Sequence, residues 1–161
     1  MTDLSLQIEW LIAKEKIRDV IAKYAKGGDE YNDPEVFKDL FTEDAVWECE
    51  GFGRFEGKGQ ILSELARIGR EEIIWSLHFP VSPLIEVSED GKRAHGFWWL
   101  WELLTIREND VEKNKWLGAN YDCDFVREAD GWKMEHLILN IHKLVDSVEE
   151  AMSSSVNKEL E

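Results

Sequence analysis

The chain has 161 residues, the length of one ordinary domain. Its 34 acidic and 19 basic residues give a net charge of −15, which repels phosphate backbones and anionic lipid surfaces and argues against nucleic-acid and membrane-surface partners. With 43% hydrophobic residues and eight tryptophans it is not a disordered polyanion, and the charge reads as a solvating shell around an aromatic interior.

From Leu4 to Tyr24 apolar residues recur at helical intervals (Leu4, Ile8, Leu11, Ile12, Ile17, Val20, Ile21, Tyr24). Gly27-Gly28 is expected to stop this helix, with Asp29 directly after it. Asp33-Pro34 opens a second, short helix carrying Val36, Phe37, Leu40 and Phe41, with Asp33 as N-cap and Pro34 at the first helical position. Ala45–Cys49 reads as a strand, Phe52–Glu56 as its continuation or partner, and Gly59–Arg70 as a third helix. Ile74–Val87 is extended and interrupted by Pro80 and Pro83, the pattern of an edge or bulged strand. A turn at Glu89-Asp90-Gly91-Lys92 leads to a tryptophan-dense strand, Ala94–Ile106, then a polar loop, Arg107–Asn114. Strands Lys115–Arg127 and Trp132–Val145 follow, joined by Ala129-Asp130-Gly131.

This order predicts an α+β fold, with a curved antiparallel sheet wrapped around three N-terminal helices and a pocket between the layers. No repeat or linker divides the chain, so residues 1–148 are read as one domain and 149–161 as a polar, acidic tail that forms a short helix and then frays. Cys49 and Cys123 are the only cysteines and lack metal-type or disulfide-framework spacing, which fits a reducing cytoplasm. No signal-peptide plan and no apolar run of about 20 residues is present. Phosphate loops, dinucleotide fingerprints, nucleophile elbows and metal-type clusters are missing as well, so neither cofactor nor metal is expected.

The candidate chemistry lies in a few residues. His78 sits among large apolar residues and by strand parity shares a face with Ser76. Alone it reads first as a hydrogen-bonded core histidine, and second as a proton-transfer group. Asp29 reads as a turn residue or as a carboxylate placed against the helix dipole. Tyr24 is either a core phenol or a hydrogen-bond donor to a ligand. Glu102 shares a face with Gly96, Trp98, Leu100 and Leu104, where a lone carboxylate is costly unless paired or functional. Phe97, Trp99, Trp101 and Leu103 occupy the other face of that strand, an apolar band that suggests a subunit interface and a homodimer or homotrimer. On the last strand Trp132, Met134, His136, Ile138, Asn140 and His142 are expected on one face, with Asn140 and His142 near a pocket mouth or in solvent. Arg127 reads as a surface ion-pair residue.

Several stretches together resemble the SnoaL-like branch of the nuclear-transport-factor-two-like cone superfamily over residues 8–145. They are Ile17-Arg18-Asp19-Val20-Ile21 leading to Tyr24 and Asp29, Phe37 to Trp47, Gly57 opening the third helix, and Asp130-Gly131-Trp132-Lys133-Met134. The order is most similar to the branch's lyases, among them hexachlorocyclohexane dehydrochlorinase, bile-acid 7α-dehydratase and scytalone dehydratase. That resemblance implies a His78–Asp29 pair for acid–base catalysis, with Tyr24 beside it. It places Glu102 where the bile-acid enzyme has an aspartate, while that enzyme's arginine on the last strand has no counterpart near Asn140 and His142. The implied activity is a cofactor-independent, dehydratase-like elimination on an apolar cyclic or aromatic molecule. Trp47, Trp75 and Trp98 supply a flat wall, and Glu102 and Asn140 contact the substrate. A ketosteroid-isomerase-like isomerase, a carbon–carbon lyase and a non-catalytic binding or assembly subunit are the alternatives.

Overall fold

The structure, a computed structural model, describes residues 4–147 and Glu150. The tail expected over 149–161 lies outside these residues except for Glu150. The elements are α1 (Leu4–Asp29), α2 (Pro34–Phe37), β1 (Phe41–Cys49), β2 (Gly53–Glu56), α3 (Lys58–Glu71), β3 (Ile73–Val87), β4 (Arg93–Glu108), β5 (Val111–Glu128) and β6 (Gly131–Val145).

Burial on α1 begins at Ala13. Ile17, Val20, Ile21 and Tyr24 pack inward, whereas Leu4, Ile8, Leu11 and Ile12 are exposed, Leu11 by 64%. The helical period is therefore real along the whole stretch, but the apolar side chains of its first turns stay exposed. The α2 start follows the expected chemistry, since the Asp33 side chain accepts from the Glu35 N–H at 2.9 Å and Pro34 takes the first helical position. Phe41, expected on that helix, instead begins β1.

The six strands form one sheet in the order β2-β1-β6-β5-β4-β3. After α3 the chain enters the sheet at its far edge and meanders back through β4 and β5, so β6 arrives beside β1 running in the same direction. The β1–β6 pair is thus parallel, an exception to the antiparallel pairing expected throughout. The sheet edge on β3 is bulged between Val81 and Leu84, where Pro80, Pro83 and a left-handed Ser82 (φ 49°) interrupt the ladder. The polar stretch expected as a loop over 107–114 is mostly strand. Only Asn109 and Asp110 turn, with φ of 50° and 62°, the backbone of a two-residue hairpin whose twist matches its strands.

The concave face of the sheet and the helices enclose the core. Trp98, 1% exposed, stacks on Tyr121 with ring centroids 5.2 Å apart, and truncating such a side chain to alanine costs about 3–5 kcal/mol. The other face of β4 carries Trp99 and Trp101, which remain exposed, as strand parity requires.

Candidate active site

The site forms where the end of α1 meets β3 and β4. Gly27 and Gly28 do not stop α1; the helix runs through both and ends at Asp29. They serve close approach. A Cβ on Gly27 would lie 2.4 Å from Phe37 Cε1, and one on Gly28 would lie 2.6 Å from His78 Cε1. The helix ends where Tyr31 and Asn32 turn left-handed, at φ 61° and 56°.

Three hydrogen bonds tie this helix end to β3. Ser76 Oγ donates to the Gly28 carbonyl at 3.1 Å, the His78 backbone N–H donates to Asp29 Oδ1 at 2.8 Å, and His78 Nδ1 lies 2.8 Å from the same oxygen. A carboxylate at a helix C-terminus opposes the dipole, and the two His78 groups compensate for it. On the other side of the imidazole, Nε2 faces Glu102 Oε1 at 3.6 Å, with the Glu102 side chain 5% exposed. His78 and Glu102 are cross-strand neighbours on β3 and β4, which fixes this approach through the ladder.

Burial pulls the His78 pKa down, but the Glu102 charge, followed by the Asp29 hydrogen bond and charge, outweighs it and the net shift is upward. Burial raises the Glu102 carboxyl above the ordinary carboxylate range, only partly opposed by His78. The two carboxyls thus flank one imidazole from different surroundings: Asp29 is partly solvated and hydrogen-bonded, while Glu102 is deeply buried.

These groups border a cavity of about 50 Å³, room for a few waters. Tyr24, Trp47, Tyr121, His78 and Glu102 line it together with Asn32, Ser76 and an apolar set on α3, β5 and β6. The Trp47 indole N–H donates to Tyr24 Oη at 2.9 Å, and the Tyr121 ring meets the Tyr24 ring edge-on with centroids 5.7 Å apart. Burial pushes the Tyr24 pKa up, so the phenol keeps its proton.

The cavity thus brings together Tyr24, Trp47, His78 and Glu102, with Asp29 behind the imidazole. Three other residues expected in it lie elsewhere. Trp75 is 45% exposed and faces outward, because strand alternation sets it with Leu77 and Phe79. Trp98 faces the interior but packs between Tyr121 and Phe125 without reaching the cavity. Asn140 is exposed on the outer face. In β6, Met134 pairs with Phe125 and His136 with Asp124, so Glu135 is an extra, unpaired residue. This bulge inverts the alternation: Trp132 and Met134 point inward, then Leu137 and Leu139, leaving Ile138, Asn140 and His142 on the outside.

Tyr121, Ser76 and Asn32 are cavity residues that the sequence reading did not select. Tyr121 was detectable, since Leu117, Ala119, Tyr121, Cys123 and Phe125 alternate along β5 and all are buried. Asn32 lies in a turn and bonds the Leu65 carbonyl across 33 residues, a contact with no local signal. Among the described residues, no group of three or more His, Cys, Asp or Glu side chains is arranged to hold a metal ion, and no helix is long and apolar enough to cross a membrane.

A curved sheet closed by N-terminal helices over a cavity defines a mixed α+β cone fold of the nuclear-transport-factor-two-like class. Within that class, the chain belongs to the SnoaL-like domain family, whose model matches residues 9–138. Among solved structures it is similar to a type 2 hexachlorocyclohexane dehydrochlorinase, LinA, with a TM-score of 0.79 and 18% identity, covering 88% of this chain and 93% of that one. It is similar to the type 3 LinA of Novosphingobium barchaimii LL02, at TM-score 0.78 and 18% identity over 88% and 94% of the two chains. A scytalone dehydratase-like protein of Novosphingobium aromaticivorans DSM 12444 superposes at TM-score 0.75 with 18% identity over 88% and 91%. No curated protein matches the sequence. At these identities the likeness establishes the fold.

Proposed function

We propose that the chain is a lyase that eliminates water, or another small leaving group, from an apolar cyclic molecule using only its own side chains. One observation carries this reading: His78 is held between Asp29 at 2.8 Å and Glu102 at 3.6 Å on the wall of a largely apolar cavity. Asp29 is the positioning residue, fixing the proton on Nδ1 so that Nε2 is free to act as base. Nε2 takes a proton from the carbon adjacent to the one bearing the leaving group. The C–H electron pair becomes the new double bond, and the imidazolium so formed returns its proton to the leaving hydroxyl, which departs as water. Asp29 and Glu102, one on each side of the ring, stabilise the imidazolium formed between them. Tyr24 donates a hydrogen bond to a substrate oxygen. Seating a six-membered ring requires the half-buried Phe52, Asn32 and Ile73 to give way, since the closed cavity is only about 50 Å³. Relatives of the same fold bear the names of a dehydrochlorinase and a dehydratase-like protein, which supports elimination over isomerisation. Incubation with candidate cyclic alcohols and halides, read by mass spectrometry, tests it: elimination lowers the product mass, and an unchanged mass indicates isomerisation instead.

We also infer a cytoplasmic protein that assembles with copies of itself. Cys49 and Cys123 are buried free thiols, as suits a reducing cytoplasm. The exposed aromatic face of the sheet is assigned to a second copy of the chain. Its large apolar residues, including Trp75, Phe79, Trp99 and Trp101, leave on the order of 600 Å² of apolar surface in water, near the ~800 Å² each partner buries in a standard interface.

A further inference from the structure

A tryptophan-walled groove of about 440 Å³ crosses the outer face of the sheet. In the ladder Trp116 pairs with Val145 at the end of β6, Gly118 with Trp101, and Trp99 with Val81. The groove therefore runs across the strands, from β6 over β5 and β4 to β3, which lie side by side in that order. Gly118 leaves its floor open, since an added Cβ would meet only the Trp101 ring, at 4.0 Å. Val81, Trp99 and Trp101 are exposed along it.

The end of β6 delivers the chain to this groove. Asp146 pairs with Lys115 on β5. Ser147 Oγ accepts the Glu150 N–H at 3.1 Å, and the Glu150 carboxylate accepts the Asp146 N–H at 3.1 Å. Such reciprocal bonds in a Ser-x-x-Glu stretch cap the start of a helix, and Glu150 itself is helical. The sequence then places Val148, Met152, Val156 and Leu160 at intervals of four, one face of a helix, with Glu150, Ser154, Asn157 and Glu161 on the opposite face. Crossing from β6 to β3 takes three strand spacings, about 14 Å. A helix from Val148 to Leu160 rises about 18 Å, enough to span it. Charge agrees as well. The groove's titratable lining is Lys143 and His142, whereas the segment sets Glu149, Glu150, Glu159 and Glu161 against Lys158.

We propose that residues 148–160 form a helix seated in the groove of the same chain, with Val148, Met152, Val156 and Leu160 against the tryptophans. Met152 then stands over Gly118 on β5, and Val156 over the Trp99–Val81 pair. The aromatic face is thereby divided. The tail takes the groove, and a second copy takes the remainder along β3, at Trp75, Leu77 and Phe79. Nothing in this placement depends on the chemistry of the cavity on the other side of the sheet.

Disulfide trapping on the full chain tests the seat, because the native thiols of Cys49 and Cys123 are buried. Under mild oxidation, Gly118→Cys with Met152→Cys should close an intramolecular disulfide. It should form at least about 10-fold faster than with Ser154→Cys, whose thiol leaves on the far side of the helix. Val81→Cys with Val156→Cys, against the same Ser154→Cys control, serves if the first pair does not fold. Deleting residues 148–161 should also shift the indole N–H resonances of Trp101 and Trp116. Equal rates for the two partners, or indole resonances left in place, would overturn the proposal. So would a disulfide that forms only between chains when singly substituted proteins are mixed, which gives the groove to a neighbour's tail. Sedimentation separates this from the assignment of a second copy. A wild-type monomer with the fast disulfide keeps the tail and removes the partner copy, and a multimer with equal rates does the reverse.

Discussion

Asp29 Oδ1 receives both the backbone N–H and the imidazole Nδ1 of His78, each at 2.8 Å. One carboxylate oxygen therefore fixes the position of a strand and the orientation of the ring that strand carries. The side chain cannot rotate away without losing a bond that the backbone continues to hold in place.

Removing the imidazole separates chemistry from folding. His78→Ala should lower turnover by about 10²–10⁴-fold. The backbone N–H to Asp29 survives this change, so the thermal midpoint should fall only slightly. Steady-state kinetics beside a melting curve distinguish the outcomes, and retained turnover would rule out His78 as the base.

Acidity offers a second check. His78 must be neutral to act as base, and its pKa lies above the ~6.5 of an unperturbed imidazole, with the Glu102 charge as the largest raising influence. The acid limb of kcat/KM should therefore have its midpoint above 6.5. Glu102→Gln removes that charge, so the limb should move down in pH even as the rate falls. An upward or absent movement would show that Glu102 does not face the base in solution.

The same shifts act on stability. Both His78 and Glu102 have folded-state pKa values above their ordinary ones, so the folded chain binds their protons more tightly than the unfolded chain does. Their contribution is fully present below the unfolded values and is lost as pH rises through the folded ones. Denaturant titrations across that window should show wild type losing stability with rising pH more steeply than His78→Gln.

Gly28→Ala probes the contact between helix and ring. The added methyl would fall 2.6 Å from His78 Cε1, forcing the imidazole to shift and costing about 1–3 kcal/mol. Gly27→Ala is the control, because its methyl meets Phe37 at 2.4 Å and not the histidine. Both should destabilise, but at equal folded fraction only Gly28→Ala should change kcat and the pH limb.

Two glycines in succession look like a helix stop, and that reading failed here for a reason invisible in the local sequence. The side chains that need their missing methyls, Phe37 and His78, arrive from α2 and β3. Periodicity was legible wherever one face was covered, as in the inward Trp98, Leu100, Glu102 and Leu104 against the outward Trp99 and Trp101. It misled at the start of α1, where a regular apolar stripe stays exposed. The His78–Asp29 proximity came from resemblance to a family, not from spacing, since 49 residues separate the two. Glu102 was recognised as an anomalous carboxylate, but its partner emerged only from the β3–β4 register.

Oligomerisation is open to a simple measurement. Trp99 is 52% exposed beside Trp101 and Phe79. Wild type should sediment as a multimer, and Trp99→Glu with Trp101→Glu as a monomer. A wild-type monomer at tens of micromolar would leave the aromatic band without the assigned partner.

The unpaired Glu135 has a longer-range consequence for how such a chain can vary. What inverts the strand is the presence of one more residue, not the chemistry of its side chain. Substitutions there should be mild, and so should the loss of that single position. Without Glu135, Met134 and Leu137 would be separated by one outward residue, and the ladder to Phe125 and Asp124 would close without a gap. Leu137 and Leu139 would stay inside, with Asn140 and His142 still in water. A codon lost at this point would straighten the strand rather than turn it over, so the chain can lengthen or shorten here by one residue where elsewhere in the strand it cannot.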